Sequence, residues 1–178
     1  MLNLSNKEIC HEILNQVGNK EAKVVVNDTK NSYYFFLNNT LYINDKGKQL
    51  DNICTIAHEC RHSIQNKIIQ ISNFILSNIE LIMFVIYLIL LLCNISNNVF
   101  NMFYIVISVV SMIIRLYLEI DATVNSIGIS KRYLESKNVD KVNDIVKNYK
   151  KRIILTFPLF LIMLFGFKIL RLLLVILI

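Results

Sequence analysis

DNICTIAHECRHSIQNKIIQISNFILSNIELIMFVIYLILLLC, residues 51–93, joins two kinds of chain without a Pro or a Gly between them. Its last part, 74–93, is an apolar run whose one charge is Glu80. At about 1.5 Å per residue such a run is long enough to cross a bilayer core of about 30 Å. Its first part carries Asp51, Glu59, Arg61 and Lys67, and within it the pattern His58-Glu59-Cys60-Arg61-His62. A charged, motif-bearing helix leading directly into a membrane-length one predicts a small polar domain anchored in a bilayer.

The rest of the chain bears on that reading. Residues 99–118 form a second apolar run, and the uncharged NISNN at 94–98 between the two suits a tight helical hairpin. A third run starts at Ile153 and continues to the end, interrupted by Pro158, Gly166, Lys168 and Arg171. Buried helices of a soluble protein are the plainer reading of any one run. Three such runs in 178 residues, at 54% hydrophobic and 18% charged, weigh against it. The expectation is an integral cell-membrane protein with the lipid bilayer as its partner.

The net charge of +6 is modest. The basic residues are not gathered on an aromatic-studded stretch, so no nucleic-acid partner is expected. They do have sides. Eight Lys or Arg lie in residues 1–73 and eight in 119–152, while 94–98 has none. The positive-inside rule then puts the N-terminal domain and 119–152 in the cytoplasm and the short loop outside. No apolar leader precedes residue 70, which agrees with a cytoplasmic start. Cys10, Cys54, Cys60 and Cys93 match neither a zinc ribbon nor a disulfide framework and are expected to be reduced thiols. Four regions follow: 1–73, 74–118 as a transmembrane hairpin, 119–152, and 153–178 as a last transmembrane helix.

In the N-terminal region Ile9, Ile13, Leu14 and Val17 make one stripe of a helix over 5–17, capped by Ser5 or Asn6 and ended by Gly18. AKVVVN at 22–27 reads as a strand, and 33–44 as a hairpin turning at Asn38-Asn39. Asp51 or Asn52 would cap the motif helix.

On that helix His58 and His62, one turn apart, share a face and can hold one metal ion. Imidazole nitrogens suit Zn²⁺, which takes three protein ligands in a catalytic site. Glu59 would then be the general base toward an attacking water. At this composition chance would place the five-residue pattern about 0.002 times per chain. For a third ligand, His11 reads as a lone surface or half-buried histidine rather than a ligand. Glu119, at the returning end of the hairpin, is the better candidate; taken alone it reads as an interfacial acid. Asp121 is rotated by about 200° from Glu119 and cannot face the same ion. It could orient the site only through a neighbouring segment. Within the membrane runs, Glu80 and Arg115 lie at similar depth and could pair, or both could sit at the headgroup boundary.

The order of these features resembles the YugP-type membrane zinc metallopeptidases, akin to the HtpX and CAAX prenyl protease gluzincins. The resemblance rests on EICHEILNQVG (8–18), a strand and hairpin, IAHECRHSIQ (56–65), EIDAT (119–123) after two membrane runs, and NVDKVNDIVKNYKKR (138–152). It covers nearly the whole chain, departing at Arg61, where that family usually has Gly, and in the usual membrane helix at the start. It implies His58, His62 and Glu119 as zinc ligands and Glu59 as base. The fold class it implies is α+β: a small zincin-like catalytic domain, helices plus a short antiparallel sheet, joined to about three transmembrane helices.

The expected function is a membrane-anchored, zinc-dependent endopeptidase cutting peptide or membrane-protein substrates at the cytoplasmic surface. The alternative is a non-catalytic membrane scaffold or immunity-type binding protein with a degenerate or structural metal site. Oligomeric state and cleavage specificity stay open, as does the oxyanion stabiliser, for which Arg61, Tyr33 and Tyr34 are candidates. One geometric expectation is independent of the resemblance. His62 to Cys93 spans 31 residues and Asn98 back to Glu119 only 21. Straight helices would leave Glu119 roughly 15 Å short of the histidines. The outgoing helix must therefore break, and Asn66, Gln70, Ser72 and Asn73 place that break between 66 and 74.

Overall fold

The computed structural model describes residues 4–27, 31–44, 49–95 and 97–177. Among these described residues five helices and three strands follow in the order α1 (Asn6–Val17), β1 (Lys23–Asn27), β2 (Tyr33–Phe35), β3 (Thr40–Asn44), α2 (Gln49–His62), α3 (Lys67–Leu92), α4 (Asn98–Ser136) and α5 (Val142–Leu177). The fold is mixed α+β, mostly helical with one small sheet. Helices α3, α4 and α5 are each long and apolar enough to cross a membrane. Two compact units can be described: Met1–Lys67 with Leu118–Leu155, and Ile68–Tyr117 with Thr156–Ile178.

The first unit is built on local signals in the chain. Ser5 and Glu8 form a capping box on α1, with the Glu8 N–H donating to Ser5 Oγ and the Ser5 N–H to Glu8 Oε2. Gly18 ends the helix at φ +92°, a left-handed conformation that glycine adopts without a Cβ clash. The sheet has the order β1-β3-β2. Strands β2 and β3 pair antiparallel, as the hairpin reading has it, with Asn39 at φ 50° in the turn. The sheet is not wholly antiparallel, however, because β1 pairs parallel to β3 from Lys23↔Thr40 to Asn27↔Asn44. Strand β2 carries the chain back on the far edge, so β3 runs in the same direction as β1.

The core of this unit combines Ile9, Ile13 and Leu14 of α1, Leu41 and Ile43 of β3, and Ile53, Ile56, Ala57 and Cys60 of α2. Ile129, Tyr133 and Leu134 of α4 and Tyr149 of α5 complete it. Positions 53, 56, 57 and 60 are one stripe, and at about 100° per residue His58 and His62 fall on the opposite side of α2. Burial of the stripe therefore aims both imidazoles away from the core. Helix α1 is tied to α4 by Glu12, which accepts from Tyr133 Oη at 2.7 Å and from Lys137 Nζ at 2.6 Å. Tyr149 Oη donates to the Leu50 carbonyl and links α5 to the start of α2.

Two local expectations need correction. Helix α2 already begins at Gln49, so Asp51 and Asn52 lie within its first turn rather than at its N-cap position. The break before the membrane helix lies at 63–66, ahead of the expected 66–74. There the Ile64 N–H bonds to Arg61 O and the Gln65 N–H to His62 O, tight i→i+3 bonds that stop the α pattern. Ser63 Oγ donates to Cys60 O at 2.7 Å, the local side-chain bond that competes with helix continuation. Gln70 and Asn73, by contrast, are buried within an unbroken α3.

The second unit holds the apolar lengths of α3, α4 and α5. Tyr87, Tyr104 and Val175 are its buried apolar centre. Glu80 is fully buried there, and its partners come from α5: Lys168 Nζ at 2.6 Å and Arg171 Nη1 at 3.6 Å. Lys168 Nζ also donates to Ser111 Oγ at 2.5 Å. The cations on Glu80 are thus from the third apolar run rather than the expected Arg115.

Candidate metal centre

Each side chain of the site has an identifiable support. His58 and His62 stand one turn apart on the polar side of α2, their ring centroids 4.7 Å apart and near perpendicular. Their Nε2 atoms are 3.1 Å from each other. Glu119 comes from α4, three residues before Ala122, which is fully buried. Its Oε2 lies 3.5 Å from His58 Nε2 and 3.6 Å from His62 Nε2. The carboxylate is 8% exposed and the imidazoles 21% and 17%. Sequence separation hides this grouping. The helix ends at His62, and Glu119 stands beside the two histidines as expected from the sequence.

These distances fit a metal. A tetrahedral ion bonded at about 2.0–2.1 Å sets its ligand atoms about 3.3 Å apart. The three separations of 3.1, 3.5 and 3.6 Å bracket that edge. Two neutral imidazoles and one carboxylate are a donor set that borderline-soft divalent ions accept. Residues His58, His62 and Glu119 are a group whose ligand atoms could hold one ion.

Glu59 is adjacent to the three. Its Oε2 accepts the Tyr34 main-chain N–H at 2.9 Å. That N–H points away from β3, so Glu59 lies against the outer edge of β2. Burial pushes the Glu59 carboxyl above its usual value; the nearby His58 and His62 and the Tyr34 bond oppose the shift, and Glu119 adds to it. For His62 burial disfavours the charge, but the Glu119 hydrogen bond and the Glu59 and Glu119 charges outweigh it and raise the imidazole.

Asp121, read from the sequence as unable to face the ion, does not join the three. Its carboxylate receives Arg61 Nε and Nη2, both at 2.9 Å, and Gln65 Nε2 at 2.8 Å. Arg61 therefore points sideways onto α4, and its guanidinium is engaged by Asp121. Tyr34 Oη donates to Asn39 Oδ1 within the hairpin. His11 is exposed on α1 and is not among the three grouped residues. The four cysteines are free, with Cys10 and Cys60 buried 3.8 Å apart between α1 and α2. The sequence reading missed Gln65, whose Oε1 is 2.8 Å from His62 Nδ1. No spacing signal marks it, because Gln65 lies in the break after α2, where helix periodicity no longer sets a shared face.

No family model, no curated protein and no solved structure matches this chain.

Proposed function

We propose that the chain is a membrane-anchored zinc metalloendopeptidase, its zincin-like domain facing the cytoplasm, as the resemblance to the YugP-type metallopeptidases implies. The observation that carries the reading is the triangle of His58 Nε2, His62 Nε2 and Glu119 Oε2, with sides of 3.1, 3.5 and 3.6 Å. His58, His62 and Glu119 would hold Zn²⁺, which when bound supplies Lewis acidity toward a scissile carbonyl and an attacking water.

The chain's own groups do the rest. Tyr34 N–H holds one oxygen of Glu59, leaving Oε1 to take the proton of the attacking water and pass it to the leaving amine. Strand β2 is an edge of the sheet, and its outer side lies by Glu59. An extended substrate segment lying beside the 33–44 hairpin would use main-chain bonds for affinity, other than the Tyr34 N–H that Glu59 occupies. The site is close in sequence to both membrane helices: His62 precedes α3 by a four-residue break, and Glu119 directly follows Leu118. Substrates that are themselves membrane-bound fit that position.

The Tyr34 bond also lends something to the non-catalytic scaffold reading, since it provides Glu59 with a structural task. Glu59→Gln separates the two. Glutamine retains an oxygen for the Tyr34 N–H, so the fold and the metal should stay. Hydrolysis of a membrane-tethered peptide by purified protein should fall by at least about 10²-fold, the size expected on losing a general base. Undiminished cleavage by that variant would refute the peptidase assignment to this site.

A further inference from the structure

Metal capture by a histidine depends on which ring nitrogen carries the proton, and the surroundings of His62 decide this. Gln65 lies in the break after α2 and is 8% exposed. Its Nε2 has two partners, the Leu118 carbonyl oxygen at 2.7 Å and Asp121 Oδ2 at 2.8 Å. Both are acceptors only, so the amide nitrogen must face them and the amide oxygen must face His62. Oε1 is 2.8 Å from His62 Nδ1. An amide oxygen cannot donate, so Nδ1 must carry the hydrogen. In neutral His62 the lone pair then lies on Nε2, the atom of the ligand triangle.

The orientation of Gln65 is itself secured. Asp121 is gripped by the two parallel Arg61 bonds and by Asn125 Nδ2 at 2.8 Å. Arg61 and His62 share α2, and Asp121 and Glu119 share α4. One planar ion pair therefore links the two helices that supply the ligands, one residue from His62 and two from Glu119.

We propose that Gln65 is a positioning residue that fixes His62 as the Nδ1–H tautomer, its amide oriented by Leu118 and by an Asp121 carboxylate clamped by Arg61. The inference rests on the metal-site reading for its purpose, though not for its test. Arg61 thereby has a use in this chain: it holds the carboxylate that orients the amide. A neutral amide on Nδ1 also leaves His62 less electron-rich than a carboxylate partner would, and so quenches less of the charge of an ion held at Nε2.

The test uses the full chain in detergent micelles, ¹⁵N-labelled at histidine, metal-free, at alkaline pH. Long-range ¹H–¹⁵N correlations report the tautomer. His62 should be protonated at Nδ1 in the wild type and should shift toward Nε2–H in Gln65→Leu. Affinity for Zn²⁺ alone, measured against a chelator, should drop about 10- to 100-fold in Gln65→Leu. A wild-type His62 found as Nε2–H, or an unchanged tautomer in Gln65→Leu, would overturn the proposal. The wild-type spectrum alone decides it if a variant fails to fold. If His62 is the Nδ1–H form and Zn²⁺ still does not bind, the metal-site reading fails and the positioning inference stands.

Discussion

Among single residues, the site divides into those whose role periodicity exposes and those that need the fold. His58 and His62 are legible because i and i+4 share a helix face, and the stripe of Ile53, Ile56, Ala57 and Cys60 says which face is outward. Glu119 is legible only after the membrane runs are counted and folded back. The Asp121–Gln65–His62 chain is not legible, because it depends on a main-chain carbonyl and on side-chain directions that spacing does not encode. Glu59 and His62 also predict a pH dependence for the metal-free chain. Glu59 is raised above the ordinary 4.5, so its contribution is complete below that value and lost as pH climbs through the folded pKa. His62, raised above 6.5, acts in the same direction: its contribution is complete below 6.5 and lost at higher pH. Glu8, held low by the Ser5 bonds, acts with the opposite sign and only beneath 4.5. Thermal unfolding of the chelated protein should therefore show Tm falling from mildly acid to alkaline pH. Glu59→Gln should gain on the wild type at alkaline pH and not at acid pH. A Tm that rises over that interval, with no advantage to Glu59→Gln, would contradict these shifts. Saturating Zn²⁺ should oppose the slope, since the ligands bind it deprotonated.

Where whole helices and strands are concerned, the chain announces its beginnings and lengths better than its partners. The capping box of α1, its Gly18 stop and the Asn39 turn are local chemistry and can be read directly. The parallel pairing of β1 with β3 cannot, because a hairpin signal at 33–44 is silent about which edge a third strand joins. The membrane helices show the same division. Equal depth along the hairpin nominates Arg115 for Glu80, yet the structure supplies Lys168 and Arg171 from α5, whose register no hairpin arithmetic sets. A carboxylate buried in an apolar bundle is costly unless paired, so this ion pair should hold α5 to α3. Glu80→Ala leaves Lys168 without its carboxylate and should cost about 3–5 kcal/mol, the range for breaking one side of a buried pair. Glu80→Leu combined with Lys168→Leu should recover most of that loss. Reversible unfolding in mixed micelles measures both. A single variant as stable as the wild type would show that the pair contributes nothing to holding α5.

At the scale of the whole molecule the reading is a membrane protein with its chemistry outside the bilayer, and the three apolar helices α3, α4 and α5 support the first half. Sidedness belongs to the second. Because Lys and Arg crowd residues 1–73 and 119–152, single cysteines placed as Lys20→Cys and Asp140→Cys should be labelled only from the cytoplasm. Ser96→Cys, between the first two runs, should be labelled from outside intact cells. Labelling of Asp140→Cys from outside would reverse the topology. Membrane character was legible because hydrocarbon thickness imposes a length on apolar runs. The grouping of His58, His62 and Glu119 was legible because helix geometry imposes the i, i+4 pairing and the two apolar runs, counted as a hairpin, nominate Glu119. What no pattern imposed was the exact place of the break after α2, which Ser63 and the turn at 63–66 settle locally. The claim on which everything else depends is that His58, His62 and Glu119 hold one ion together. Metal content of the purified chain, by mass spectrometry, tests it most directly. About one Zn²⁺ per chain is expected in the wild type and in Glu59→Gln, with loss in His58→Ala and in Glu119→Ala. Full occupancy in Glu119→Ala would contradict the three-ligand centre, and with it the endopeptidase reading.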